Sequence, residues 1–121
     1  EIDDRLAHAQ SSFVGTAIFV NFAAGLLLTE AGILTMTAQQ PMQATRRYRW
    51  RQNGDAIAVS FEDGRDFHVF RPNEGTPAAS HDCSPDFYRV KYDFSAWPNW
   101  GCTWHVTGPR KDYQLTSDYR R

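Results

Sequence analysis

The sequence predicts an all-β domain: an antiparallel up-and-down meander that closes into a barrel of about eight strands. Three observations carry this. Apolar and polar residues alternate over short segments, as in Ile57-Ala58-Val59-Ser60-Phe61 and Tyr88-Arg89-Val90-Lys91-Tyr92, and period-two alternation sends successive side chains to opposite strand faces. Tight-turn signals at Asn53-Gly54-Asp55 and Glu62-Asp63-Gly64-Arg65 separate such segments, because Asn-Gly and Asp-Gly accept the positive φ of short hairpin turns. No convincing interior helix interrupts the series, and a meander this long must close or stack to remove its edges.

In chain order, Glu1 to Gln10 carries Ile2 and Leu6 at helical spacing and is expected as a lead-in or a short helix. Strands are then expected over Phe13 to Phe22, Gly25 to Glu30 and Gly32 to Thr37, the last two divided at Ala31-Gly32. Gln43 to Arg51 follows, with Arg46, Tyr48 and Trp50 on one face and Arg47, Arg49 and Arg51 on the other. Its hairpin partner is Ala56 to Phe61, which aligns Ile57, Val59 and Phe61. Phe67 to Phe70 comes after the Asp63-Gly64 turn. Arg71 to Ser80 contains two prolines and a glycine and reads as a loop, the best candidate for a lid. His81 to Asp86 is expected to be extended. Tyr88 to Phe94 aligns Tyr88, Val90, Tyr92 and Phe94. Cys102 to Thr107 and Tyr113 to Tyr119 finish the chain, with Gly108-Pro109 between them.

Composition bounds the function. The 121 residues suit one domain, 1–121, and 41% apolar with 22% charged residues is ordinary for a soluble globular protein. A formal net charge of −1 argues against a nucleic-acid partner. The one dense basic stretch, Arg46 to Arg51, is divided between two strand faces by alternation. The apolar stretch Phe13 to Leu28 is interrupted by Gly15, Thr16, Asn21 and Gly25, so no membrane span is expected. No signal peptide is visible. The expected location is cytoplasmic, where Cys83 and Cys102 stay reduced; their pairing would require a Cα separation that sequence does not supply.

Several spaced motifs resemble a known family. They are Leu28-x-Glu30-x-Gly32-x-Leu34, Arg46-x-Tyr48-x-Trp50, Phe61-Glu62-Asp63-Gly64-Arg65-x-Phe67-His68-x-Phe70, His81-x-Cys83-x-Pro85-Asp86-x-Tyr88, and Trp104-x-Val106-x-Gly108-Pro109-Arg110-Lys111-Asp112-Tyr113 running on to Tyr119-x-Arg121. Together, from about Phe13 onward, they resemble a mainly bacterial family catalogued as domain of unknown function 6314, which looks lipocalin-like (calycin-type). The resemblance implies a barrel and brings no established activity. It also implies an opening Gly-x-Trp strand beside the last strand. Here Ile2-Asp3-Asp4 looks like the tail of that strand, so another segment or a second copy of the chain would cover the edge. An uncovered edge would favour a homodimer.

Candidate chemistry lies mainly after Phe67, where His, Tyr and Arg stand on strands. Such side chains are avoided there unless the face is wet, paired or lines a cavity. The leading expectation is non-enzymatic binding of a small, partly aromatic or anionic molecule inside the barrel. Tyr48, Trp50, His68, His81, Tyr88, Tyr92 and Trp104 would line the pocket, Arg46 or Arg65 would supply charge complementarity, and Lys111 would stand at the mouth. Lys111, with Arg110, could instead pair with Asp63, Asp112 or Asp86, and Arg46 with Glu30 or Asp86. A rival reading is an enzyme using His68, His81 and Asp86 for acid–base chemistry. A third is a structural module whose interior is filled by Trp50, Phe61, Phe70 and Trp104. His68, His81, Cys83 and Asp86 match no standard metal spacing, so no metal site is assigned. Cys83 has neither a helix N-terminus nor a Gly-rich donor loop to make it a nucleophile. No cofactor is assigned.

Overall fold

The structure is a computed structural model that describes residues 2–4, 9–36 and 39–120, with side chains described from residue 11 onward. Among the described residues there are ten strands rather than about eight: β1 (Ile2–Asp4), β2 (Ala9–Phe22), β3 (Gly25–Met36), β4 (Met42–Asn53), β5 (Ala56–Phe61), β6 (Asp66–Phe70), β7 (Ala78–Cys83), β8 (Asp86–Asp93), β9 (Trp100–Gly108) and β10 (Lys111–Tyr119). They form one antiparallel sheet in the order β6-β5-β4-β3-β2-β1-β10-β9-β8-β7.

The lead-in or helix expected before Gln10 is corrected at both of its described parts, since Ile2–Asp4 is a strand and Ala9 begins the next one. Residues 1 and 5–8 lie outside the described residues. Ile2 stands opposite Ser11 on one side and Leu115 on the other. A three-residue segment with ladder partners on both sides satisfies its backbone groups better than an isolated helical turn does. β1 thus pairs with Tyr113, Gln114 and Leu115 of β10, beside the last strand as the resemblance implied.

The break expected at Ala31-Gly32 is also corrected, because β3 runs unbroken through it. Gly32 lies directly opposite Gly15 on β2, and a Cβ on either residue would run into the backbone of the other strand. Glycine here permits close approach of two strands, not a turn. The real β2–β3 turn is at Ala23-Ala24, with Ala23 at φ 51°. The other predicted hairpins are present, with Gly54 at φ 63° and Gly64 at φ 92°. The Arg71–Ser80 loop is shorter than expected, because β7 begins at Ala78. Thr37 lies outside the described residues.

The sheet curls on itself, but among the described residues no closed barrel forms. β6 and β7, the two ends of the strand order, lie beside each other without a hydrogen-bonded ladder. Across this seam Phe67 and His81 meet edge-to-face with ring centroids 5.3 Å apart. The chain between the two strands carries Pro72 and Pro77, which have no N–H for a ladder. The Pro77 carbonyl instead accepts from the Tyr92 N–H at 2.8 Å, which ties the start of β7 to β8 rather than to β6.

Part of the curled interior is filled. Val59, Phe70, Val90, Tyr92 and Cys102 form the buried cluster, with Trp50, Phe94 and Trp100 packed against it. Phe70 stacks on Tyr92 at 4.2 Å and meets Trp50 edge-on at 5.5 Å. Such pairs contribute about 0.5–1.5 kcal/mol each beyond their buried area. The outward side of β2 is different: Val14, Ile18, Val20 and Phe22 are exposed. Among the described residues no helix is long and apolar enough to cross a membrane.

Candidate functional site

Against the buried cluster the interior holds a cavity of about 140 Å³, with Trp50, Val59, Tyr92, Trp100 and Cys102 belonging to both. Strand alternation supplies most of its wall. Arg46, Tyr48 and Trp50 come from β4, Tyr88 and Tyr92 from β8, Trp100, Cys102 and Trp104 from β9, and Tyr113, Leu115 and Tyr119 from β10. In each strand these are alternate positions and so share a face.

β6 departs from that rule. Its ladder with β5 slips between Val59 and Ser60, so that Val59 faces His68 while Ser60 faces Asp66. This β-bulge brings the adjacent residues Phe67 and His68 both to the cavity wall. Phe67 stacks on Phe61 at 4.5 Å and on Trp104 at 4.9 Å, the latter pair within 7° of parallel. His68 meets Trp104 edge-on at 5.0 Å.

Two polar groups are built into this aromatic wall. The first centres on Glu30, 5% exposed on β3. Arg46 lies directly opposite it on β4 and donates from Nε to Oε1 at 3.1 Å and from Nη2 to Oε2 at 3.2 Å. Tyr119 donates its hydroxyl to Glu30 Oε2 at 2.9 Å while its ring stacks on Trp100 at 3.9 Å. Burial disfavours the charge on Arg46, but the Glu30 carboxylate and its hydrogen bonds outweigh burial and hold the Arg46 pKa above its usual value. Burial, reinforced by Glu30, raises the Tyr119 hydroxyl. Glu30, Arg46 and Tyr119 also line an open groove of about 1040 Å³ that runs past Phe13, Phe19 and Trp97. The triad thus stands between the cavity and this groove.

The second group is His68, 6% exposed, with Nε2 2.8 Å from the Tyr92 hydroxyl oxygen. Its Nδ1 is buried and meets no partner among the described residues. Burial, with a smaller contribution from His81, pushes the His68 pKa down to about 4, so the ring is neutral at physiological pH. Burial likewise raises the Tyr92 hydroxyl, which stays protonated.

Of the sequence candidates, Arg46, Tyr48, Trp50, His68, Tyr88, Tyr92 and Trp104 come together around the cavity. Three do not. Arg65 is mostly exposed: its turn places it over the Phe61 ring at 5.2 Å and in an ion pair with Asp63 at 2.7 Å. His81 lies outside the cavity wall, at the seam, edge-on to Phe67 and Tyr88. Lys111 sits where β10 begins and pairs with Asp86 at 2.9 Å. That pairing also engages the carboxylate required by the acid–base reading, and no hydrogen bond joins His68, His81 and Asp86 among the described residues. The His–Asp pair that does form is His105–Asp112, at 3.0 Å on the β9–β10 hairpin.

Both cysteines are free, Cys83 exposed and Cys102 buried. Burial pushes the Cys102 thiol up to about 12, an inert form. Among the described residues no group of three or more His, Cys, Asp or Glu could hold a metal ion.

Glu30, Phe67, Trp100, Tyr113 and Tyr119 line the cavity but were not expected there. Glu30 was expected only as one possible partner of Arg46, and its other signal was a lone acid in the mainly apolar run Leu26 to Met36. Phe67 carried no signal, because simple alternation sends it away from His68.

Comparison with known proteins finds no matching curated protein and no matching solved structure. One family model matches, described as a family of unknown function, and it covers residues 1–121. The chain belongs to that family, DUF6314.

Proposed function

We propose that this protein binds one small, planar, uncharged molecule in its interior cavity and performs no chemistry on it. The carrying observation is an aromatic-walled cavity whose two charged lining groups, Glu30 and Arg46, are paired with each other. Arg46 was expected to meet an anionic ligand, but its Nε and Nη2 are already engaged by Glu30. An added anion would lie beside the buried Glu30 carboxylate, which already balances the Arg46 charge, and like charges at close range are costly. An uncharged ring meets no such penalty.

Size supports the same reading. An apolar cavity of roughly 150 Å³ is enough to hold benzene, and this one measures about 140 Å³. The curled meander with an interior site supports a lipocalin-like (calycin-type) description of the fold, with its seam between β6 and β7. A ligand can use that seam, flanked by Phe67 and His81, as its way in.

The test is extraction of freshly purified protein under denaturing conditions with mass spectrometry of the extract, alongside thermal unfolding in the presence of single-ring compounds. Expected are a stoichiometric neutral aromatic compound in the extract, or a melting temperature that climbs with probe concentration. An empty extract together with an unmoved melting temperature for every ring tried would overturn the reading.

A further inference from the structure

We propose that the open groove over β2, β3 and β4 is a second ligand site, and that it takes a flat, uncharged, fused-ring molecule whose carbonyl oxygen accepts a hydrogen bond from Arg46. This site is separate from the interior cavity and does not depend on the reading given to it.

The groove measures about 1040 Å³, against about 140 Å³ for the cavity. Small-molecule clefts span roughly 300–1,000 Å³ and are walled mainly by apolar and aromatic side chains with a few polar groups. The groove has that make-up. Phe13, Phe19 and Leu34 come from β2 and β3, while Trp97, Pro98 and Leu115 come from the β8–β9 connection and β10. Trp97 is 67% exposed and Phe19 38%, and apolar side chains left open together in a recess mark a binding groove.

The register explains its shape. Gly15, Gly32 and Ala44 stand on one rung across three strands. A Cβ at either glycine would strike the neighbouring backbone, so the floor there is bare. The next rungs on the same face carry Phe13 with Leu34 in one direction, and Ala17 with Glu30 and Arg46 in the other. Strand geometry makes this floor about 10 Å across, with about 13 Å between the bounding rungs. A fused-ring system lies flat on such a floor, against peptide groups already paired in the ladders and beside the aromatic walls.

Charge selects the ligand further. Glu30 and Arg46 neutralise each other, and the other charged side chains lining the groove among the described residues are one of each sign, Asp118 and Arg120. A balanced site favours an uncharged molecule, because an added charge would lose water without gaining a partner. Arg46 has five N–H donors. Two of its hydrogen bonds go to Glu30, while its side chain stays 39% exposed and lines the groove. A ligand carbonyl at that end of the floor takes one of the remaining donors and leaves the Glu30 pair intact. Tyr119 does not compete, since its hydroxyl already donates to Glu30.

Fluorenone and fluorene are flat, uncharged three-ring probes that differ at one carbon, a carbonyl in the first and a methylene in the second. Each is titrated into the full chain and followed at the indole N–H signals. Trp97 lines the groove and not the cavity, whereas Trp50 and Trp104 line the cavity and not the groove. Expected is a saturable shift of Trp97 with Trp50 and Trp104 unmoved, and tighter binding of fluorenone by about tenfold, the equivalent of one hydrogen bond. Ala44, which lines the groove and not the cavity, gives the matching variant. Ala44→Phe fills the recess over Gly32 and should abolish the Trp97 response to fluorenone, while benzene still moves Trp50 and Trp104 as in the wild type. The wild-type shifts need no variant and keep the proposal falsifiable if Ala44→Phe does not fold. Fluorenone shifts confined to Trp50 and Trp104, or none that saturate at Trp97, would overturn the groove site and leave the cavity reading intact. Equal affinity for the two probes would overturn the part given to Arg46.

Discussion

Glu30 and Arg46 face each other across a single rung of the β3–β4 ladder and join at two points, with Nε–Oε1 at 3.1 Å and Nη2–Oε2 at 3.2 Å. The pair closes one side of the cavity, and Tyr119 completes it from the far end of the chain. Replacing Arg46 by Met leaves a buried carboxylate without its cation. Loss of one partner of a buried pair costs about 3–5 kcal/mol, and the partial exposure of Arg46 puts the expected loss near the lower end. Urea unfolding should show this for Arg46→Met. The double variant Arg46→Met with Glu30→Leu should be more stable than Arg46→Met alone.

Tyr119→Phe separates two roles. It keeps the ring stacked on Trp100 at 3.9 Å and removes the hydroxyl that reaches Glu30. A hydrogen bond to a charged acceptor is worth about 1.5–3 kcal/mol. The denaturation midpoint should drop accordingly, while the far-ultraviolet circular dichroism of the folded protein stays the same.

His68 makes stability depend on pH. Its folded pKa, about 4, lies below the ordinary value of 6.5, so between these values the unfolded chain binds a proton that the folded protein refuses. Stability is then full above pH 6.5 and declines as pH falls toward 4. At about 1.4 kcal/mol per pKa unit, the total is on the order of 3 kcal/mol. Urea midpoints measured across this range should fall more steeply for the wild-type protein than for His68→Phe, and parallel curves would contradict the burial of a neutral imidazole.

Gly15 and Gly32 allow β2 and β3 to approach where no Cβ fits. Gly15→Ala forces backbone atoms apart and should cost at least about 3 kcal/mol, the upper range for overpacking. Gly75, in the loop before β7, has open space where a Cβ would go, and Gly75→Ala should stay within about 0.5 kcal/mol of wild type. Thermal melts of the two variants make the comparison.

What was legible in the sequence was local. Asn53-Gly54 and Asp63-Gly64 announce their hairpins because turn chemistry is written in adjacent residues, and Arg46, Tyr48 and Trp50 share a face because alternation needs only one strand. What was not legible depends on partners distant in the chain. Gly32 reads as a turn until Gly15 is seen opposite it. Spacing alone reads Ile2–Asp4 as lead-in or helix, and it is a strand because β2 and β10 flank it, the place beside the last strand that the family resemblance gave it. The seam between β6 and β7 depends on which neighbour takes the Pro77 carbonyl. Within the site, Arg46 and Arg65 are the same residue type, and only tertiary burial distinguishes the paired cavity residue from the exposed turn residue. Phe67 was missed because a one-residue bulge inverts its face.

The binding claim meets its most direct test in the indole N–H signals of the four tryptophans, followed by proton–nitrogen correlation spectra as a single-ring compound is added. Trp50, Trp100 and Trp104 line the cavity, while Trp97, 67% exposed between β8 and β9, serves as the reference. Expected are saturable shifts at the three cavity indoles with Trp97 unmoved. Shifts confined to Trp97, or none that saturate, would contradict an interior binding site.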